Sequence, residues 1–129
     1  ESIASFVLPL GMTINMDGTA IMQVIATVFI AGCAGYDLSP MQLVVIALLA
    51  LLASVGTPAA PGAGAVILFT ILSGVGFVND MALLAYSLIL AINRPIEMLV
   101  TSLNVVGDAT SCICVAKSEG LLDEEKFNA

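Results

Sequence analysis

The stretch from Met41 to Phe77 constrains the fold most. Its two apolar arms, Met41–Ala53 and Ala65–Phe77, are thirteen residues each. A helix needs about 20 mostly apolar residues to cross the hydrocarbon of a bilayer, so neither arm spans one. Between them lies Ser54-Val55-Gly56-Thr57-Pro58-Ala59-Ala60-Pro61-Gly62-Ala63-Gly64. Two prolines and three glycines in eleven residues free many backbone groups. In lipid such groups must be satisfied by protein, ions or water. The pattern predicts a re-entrant helical hairpin that enters and leaves on one side, in preference to a single kinked helix.

A membrane setting follows from composition. The 129 residues are 60% hydrophobic and 10% charged, with a mean hydropathy of +1.11. A soluble domain is about 45–50% apolar and about 25% charged, so this chain lacks the polar surface to stand in water alone. With 3 basic residues against 10 acidic ones there is no basic patch for nucleic acid. The absence of histidine removes imidazole catalysis and most zinc sites. Cys33, Cys112 and Cys114 have no disulfide-framework spacing and read as small buried thiols in apolar surroundings. The start at Glu1 has no basic region or cleavage pattern, so it is not a signal peptide. The chain reads as the C-terminal part of a longer membrane protein, with Lys117 to Ala129 as a tail leaving the membrane.

Three apolar regions predict an all-α organisation: Ile3–Ala34, Met41–Phe77 and Met81–Ala116. Ser39, Pro40 and Gln42 form a capping box with proline at the first helical position. Asn79 or Asp80 caps the last helix.

Ionisable residues at membrane depth cost about 3 kcal/mol each on insertion scales and default to a functional reading. Asp17, Glu97, Asp108 and Arg94 qualify, whereas Asp37 and Asp80 fall in solvated loops. Asn15-Met16-Asp17-Gly18-Thr19 is a polar break inside an apolar helix. Unwinding there would turn carbonyls such as those of Gly11, Thr13 and Asn15 outward, and with a carboxylate they make an oxygen cage for a hard cation. An interhelical hydrogen-bond cluster is the alternative. Glu97, Thr101, Asn104 and Asp108, spaced 4, 3 and 4 apart, form one polar stripe. Such a stripe faces a protein interior or an aqueous pocket, or packs against another helix. Arg94 either pairs with Glu97 or snorkels to the interface. Buried carboxylates without basic partners imply a bound cation, with Na+ coupling and proton coupling as rivals. An intramembrane aspartyl protease would use Asp17 and Asp108 as a dyad, but the first glycine of its G-x-G-D context is missing. A passive channel needs a continuous polar pore, and these residues cluster at discrete depths.

The order NMDGT (15–19), the 54–64 tip and Asn104-Val105-Val106-Gly107-Asp108 resembles the glutamate transporter family, the dicarboxylate/amino acid:cation symporters, over essentially the whole chain. The resemblance implies a non-enzymatic, multi-pass protein of the cell (inner) membrane. It assigns 3–34 to transmembrane helix seven with an unwound NMDGT, 41–77 to re-entrant hairpin two, 81–118 to transmembrane helix eight and 119–129 to a cytoplasmic tail. Together these make the C-terminal part of an elevator-type transport domain, in a full-length homotrimer surrounded by lipid. One implied Na+ site uses the carbonyls of Gly11, Asn15 and Asn104 with the Asp108 carboxylate. A second uses Asp17 and the Asn15 side chain. A third uses carbonyls of Thr13, Ser54, Val55 and Thr57. Substrate rests under the tip against Val55, Gly56, Ala60, Pro61 and Gly62, near Thr19, Glu97, Val100, Thr101 and Asn104, and the tip is the gate.

Two departures bear on the cargo. Acidic amino acid carriers of the family hold an arginine at the position of Val100. A valine cannot neutralise a second carboxylate, and burying one unpaired is expensive. Glu97 stands where those carriers place an aspartate that binds the substrate amine, and Asn93 replaces an aspartate one turn earlier. The expectation is therefore Na+-coupled symport of a neutral, serine/alanine/threonine-like amino acid. An acidic amino acid or C4-dicarboxylate is the alternative.

Overall fold

A computed structural model describes residues 2–128. Six helices follow in order: α1 Ser2–Ile14, α2 Asp17–Cys33, α3 Pro40–Val55, α4 Ala63–Val75, α5 Asp80–Ser118 and α6 Glu124–Phe127. No strand occurs among the described residues. Two apolar helical stretches are long enough to cross a membrane, Ser2–Cys33 (α1 and α2 together) and Asp80–Ser118.

The break between α1 and α2 falls at Asn15 and Met16, inside the expected NMDGT. Asp17 occupies the first turn of α2, where a carboxylate suits the positive end of the helix dipole. The α3 cap forms as expected: Ser39 Oγ accepts from the Gln42 N–H at 3.2 Å, and Gln42 Oε1 accepts from the Ser39 N–H at 2.9 Å. At 1.5 Å per residue, the 16 residues of α3 reach about 24 Å, short of a hydrocarbon core of about 30 Å.

The arms of the hairpin are displaced slightly from the expected ranges. Helix α3 runs two residues further, to Val55, and the Thr57 hydroxyl donates back to the Ala53 carbonyl at 2.8 Å. Helix α4 starts two residues earlier, at Ala63, after Gly62 in the left-handed region (φ 84°). Phe77 lies beyond α4. The chain turns at Gly76 (φ 80°), and Phe77 drops into the core against Tyr36, ring centroids 4.5 Å apart. The chain between the arms is residues 56–62.

Helix α5 passes through Pro95 without ending. Asn79 supplies its N-cap, accepting from the Ala82 N–H at 2.8 Å, and its amide donates to the Ala34 carbonyl at 3.1 Å. One residue thus ties the end of α2 to the start of α5. The core holds Ala26, Ile30 and Ala31 of α2 with Ile46, Leu68, Leu72, Phe77, Ala82 and Ala85. Helix α2 touches α3, α4 and α5, and α1 lies on α5. The outward faces stay apolar, with Ile25 and Phe29 on α2 and Leu88 and Ile92 on α5 exposed.

One expectation is corrected. Cys33 and Cys114 are exposed and Cys112 is half-buried, not enclosed, because they lie on the terminal turns of α2 and α5 beyond the packed core. In the tail a short helix, α6, is capped by Asp123 and closed by a Lys126–Asp123 ion pair at 3.2 Å.

Gly18 sets the closest approach of α2 to α5. A Cβ there would lie 2.5 Å from the Val100 carbonyl oxygen. Backbone cannot swing aside as a side chain does, so Gly18→Ala is expected to cost roughly 1–3 kcal/mol. The melting temperature of the purified full-length protein in detergent should fall; an unchanged value would mean that the helices do not meet here.

Candidate binding site

The polar break and the polar stripe meet. The Asn15 side-chain amide donates to Asp108 Oδ1 at 2.7 Å and to the Asn104 carbonyl at 3.1 Å. Asn104 Oδ1 accepts from the Gly18 N–H at 2.8 Å, one of the first-turn donors of α2 that no helix carbonyl can reach. The other end of that amide donates to Thr19 Oγ1 at 3.2 Å and to Met16 Sδ at 3.3 Å. Thr19, Asn104 and Asp108 are all buried. The cluster is tight because glycines leave room for it. A Cβ on Gly11 would collide with the Asp108 carboxylate, and one on Gly107 would lie 2.6 Å from the Asn15 amide nitrogen.

Asp108 takes part in neither of the two ion pairs among the described residues, Arg94–Glu97 and Lys126–Asp123. Its hydrogen-bond donor is the neutral amide of Asn15. No group of three His, Cys, Asp or Glu placed to hold a metal ion occurs among the described residues. The donors present are carbonyl and amide oxygens and a single carboxylate, a set suited to a hard cation rather than a transition metal.

A cavity of about 840 Å³ opens beside the cluster. Its walls are Asn15, Met16, Thr19 and Met22 of the broken helix, Thr57–Pro61 and Gly64 of the hairpin, and Arg94, Glu97, Val100, Thr101, Asn104 and Asp108 of α5. Glu97 joins two of these walls. Its Oε1 accepts from the Gly62 N–H at 2.6 Å, and its Oε2 pairs with Arg94 Nη1 at 2.9 Å.

The expected substrate residues Thr19, Ala60, Pro61, Glu97, Val100, Thr101 and Asn104 therefore line one cavity, and Gly62 contacts it through Glu97. Val55 and Gly56 do not line it. Of the expected cation residues, Asn15, Thr57, Asn104 and Asp108 reach the cavity and Gly11 lies under the Asp108 carboxylate. Thr13 and Ser54 turn their hydroxyls to carbonyls of their own helices, Leu10 and Leu51, each at 2.8 Å. Asp17 is exposed and makes no hydrogen bond to Asp108. Asn15, in the break between the helices, is the residue that reaches Asp108, and Asp17, in the first turn of α2, forms no dyad with it.

Sequence reasoning missed Met16, whose sulfur accepts from both Asn104 and Thr19. It also missed Gln23, which is fully buried with neither amide atom hydrogen-bonded. Its spacing of four from Thr19, on the same face of α2, was the available signal.

The chain matches the sodium:dicarboxylate symporter family over residues 1–118. It is 44% identical over 108 residues to an excitatory amino acid transporter of Onchocerca volvulus, covering 83% of this chain and 21% of that protein. It is 43% identical over 109 residues to human excitatory amino acid transporter 2, covering 84% of this chain and 18% of the relative. To the proton/glutamate-aspartate symporter of Escherichia coli it is 38% identical over 125 residues, covering 97% of this chain and 28% of the relative. The chain thus spans about a fifth to a quarter of these relatives' lengths. With the broken helix, the glycine- and proline-rich tip and the Asn104–Asp108 stripe packed into one site, the chain belongs to the sodium:dicarboxylate symporter family.

Proposed function

We propose that this chain forms the substrate- and cation-binding part of a multi-pass secondary symporter that carries an acidic amino acid or dicarboxylate with Na+. It performs no covalent chemistry. The observation that carries the reading is Asp108: a buried carboxylate with no basic side chain against it, beside the carbonyl of Asn104 and above Gly11, on the wall of a substrate-sized cavity. A bound Na+ in place of the Asn15 amide would neutralise it with oxygen ligands already in reach. The cargo class follows the names of the relatives, which are excitatory amino acid transporters and a glutamate-aspartate symporter. Helices α3 and α4 act as a re-entrant hairpin whose tip, residues 56–62, closes over the cavity, within an elevator-type transport domain. Thr13, Asp17, Ser54, Val55 and Thr57 complete the further cation sites, and segments outside these residues build the trimer.

A second reading is favoured by one residue. Val100, buried on the cavity wall, offers no charge to a second carboxylate, which suits a neutral serine-, alanine- or threonine-like cargo. The name of the E. coli relative makes proton coupling the rival of Na+.

Full-length protein in liposomes should take up labelled aspartate under an inward Na+ gradient, and excess unlabelled serine should compete poorly. Uptake that persists without Na+ and follows a proton gradient would overturn Na+ coupling; serine uptake in preference to aspartate would establish the second reading. Asp108→Asn should raise the Na+ concentration for half-maximal uptake by about tenfold or more, as expected when a charge-assisted contact is lost. If serine is the cargo, Val100→Arg should shift preference toward aspartate, and an unchanged profile would remove position 100 from substrate selection.

A further inference from the structure

An acidic cargo brings one carboxylate more than an α-amino acid headgroup, and burying it unpaired is prohibitive. The chain has three basic residues. Lys117 stands in the last turn of α5, and Lys126 pairs with Asp123 in the tail. Of these three, Arg94 lines the cavity formed by the described residues. A guanidinium carries five N–H donors in a planar fork. Arg94 engages Glu97 through Nη1, its other nitrogens hold no hydrogen bond among the described residues, and its side chain is 69% exposed. Glu97 is itself anchored, since its second oxygen takes the Gly62 N–H from the hairpin tip. The pair therefore presents a pre-aimed guanidinium on the cavity wall beside the tip, with a free edge for bidentate contact with a carboxylate.

We infer that Arg94 is the specificity-determining residue, receiving the side-chain carboxylate of an acidic cargo while Glu97 fixes its orientation. Val100 then packs against Gly18 and gives the cavity wall only apolar surface, and selectivity resides about one and two-thirds turns earlier on α5. This inference rests on the acidic reading above and explains how a cavity with valine at position 100 accepts a substrate with two carboxylates.

The test compares full-length wild type, Arg94→Lys and Arg94→Gln in liposomes, measuring KM and maximal rate for aspartate and for alanine. Arg94→Gln should raise the aspartate KM by about tenfold or more, and the KM for alanine, which has no side-chain carboxylate, by a clearly smaller factor. Arg94→Lys, which keeps the charge but not the fork, should fall between. An aspartate KM within about twofold of wild type in both variants would overturn the role of Arg94 and leave the acidic reading standing. A wild type that carries alanine and no aspartate would overturn both. Equal losses for aspartate and alanine in the correctly folded Lys variant would assign Arg94 to holding Glu97 and the tip, and would also overturn the inference.

Discussion

The structure depends on how a helix interrupted at membrane depth satisfies its freed polar groups. Between α1 and α2 the backbone leaves the helical path at Asn15 and Met16, and the first donors of α2 are left without carbonyl partners. Water cannot meet them in hydrocarbon. Asn104 does so across the interface, its side-chain oxygen on the Gly18 N–H, while its carbonyl and Asp108 receive the Asn15 amide. The break is stable only because α5 lies against it. The residues that stabilise the break are also those that form the wall of the cavity.

Close approach makes this exchange possible. Gly11, Gly18 and Gly107 each stand where a Cβ would strike the opposing helix or its polar groups. Removing the side chain at three points along the α1/α2–α5 contact brings short side chains such as Asn and Asp within direct hydrogen-bonding distance. Longer side chains would be more flexible and would hold these hydrogen bonds less sharply.

Charge is arranged in two tiers. Asp108 is buried and is hydrogen-bonded to a neutral amide, with no basic side chain paired to it among the described residues. Glu97 is nearer the tip, and its charge is shared between Arg94 and the Gly62 N–H. Of the hydrogen bonds among the described residues, that one links the 56–62 tip directly to α5. The position of the tip and the electrostatics of the cavity are therefore coupled through a single carboxylate.

The apolar composition and the period of the polar interruptions determined much by themselves. Helix placement, the capping box at Ser39, the break at NMDGT and the polar face of Asn104 and Asp108 were all legible, because each is set within a few residues. The hairpin arms were placed to within two residues at their inner ends, where side-chain back-bonding and a left-handed glycine decide the boundary. Only the tertiary structure decided which member of the polar break reaches Asp108: Asn15, with Asp17 left exposed. It also decided that Arg94 pairs with Glu97 at the cavity wall, that Met16 sulfur joins the cluster and that the cysteines lie outside the core. Periodicity assigns a residue to a helix face, but partners across the interface depend on the rotation and separation of helices far apart in sequence, and here glycine contacts between α1/α2 and α5 set both.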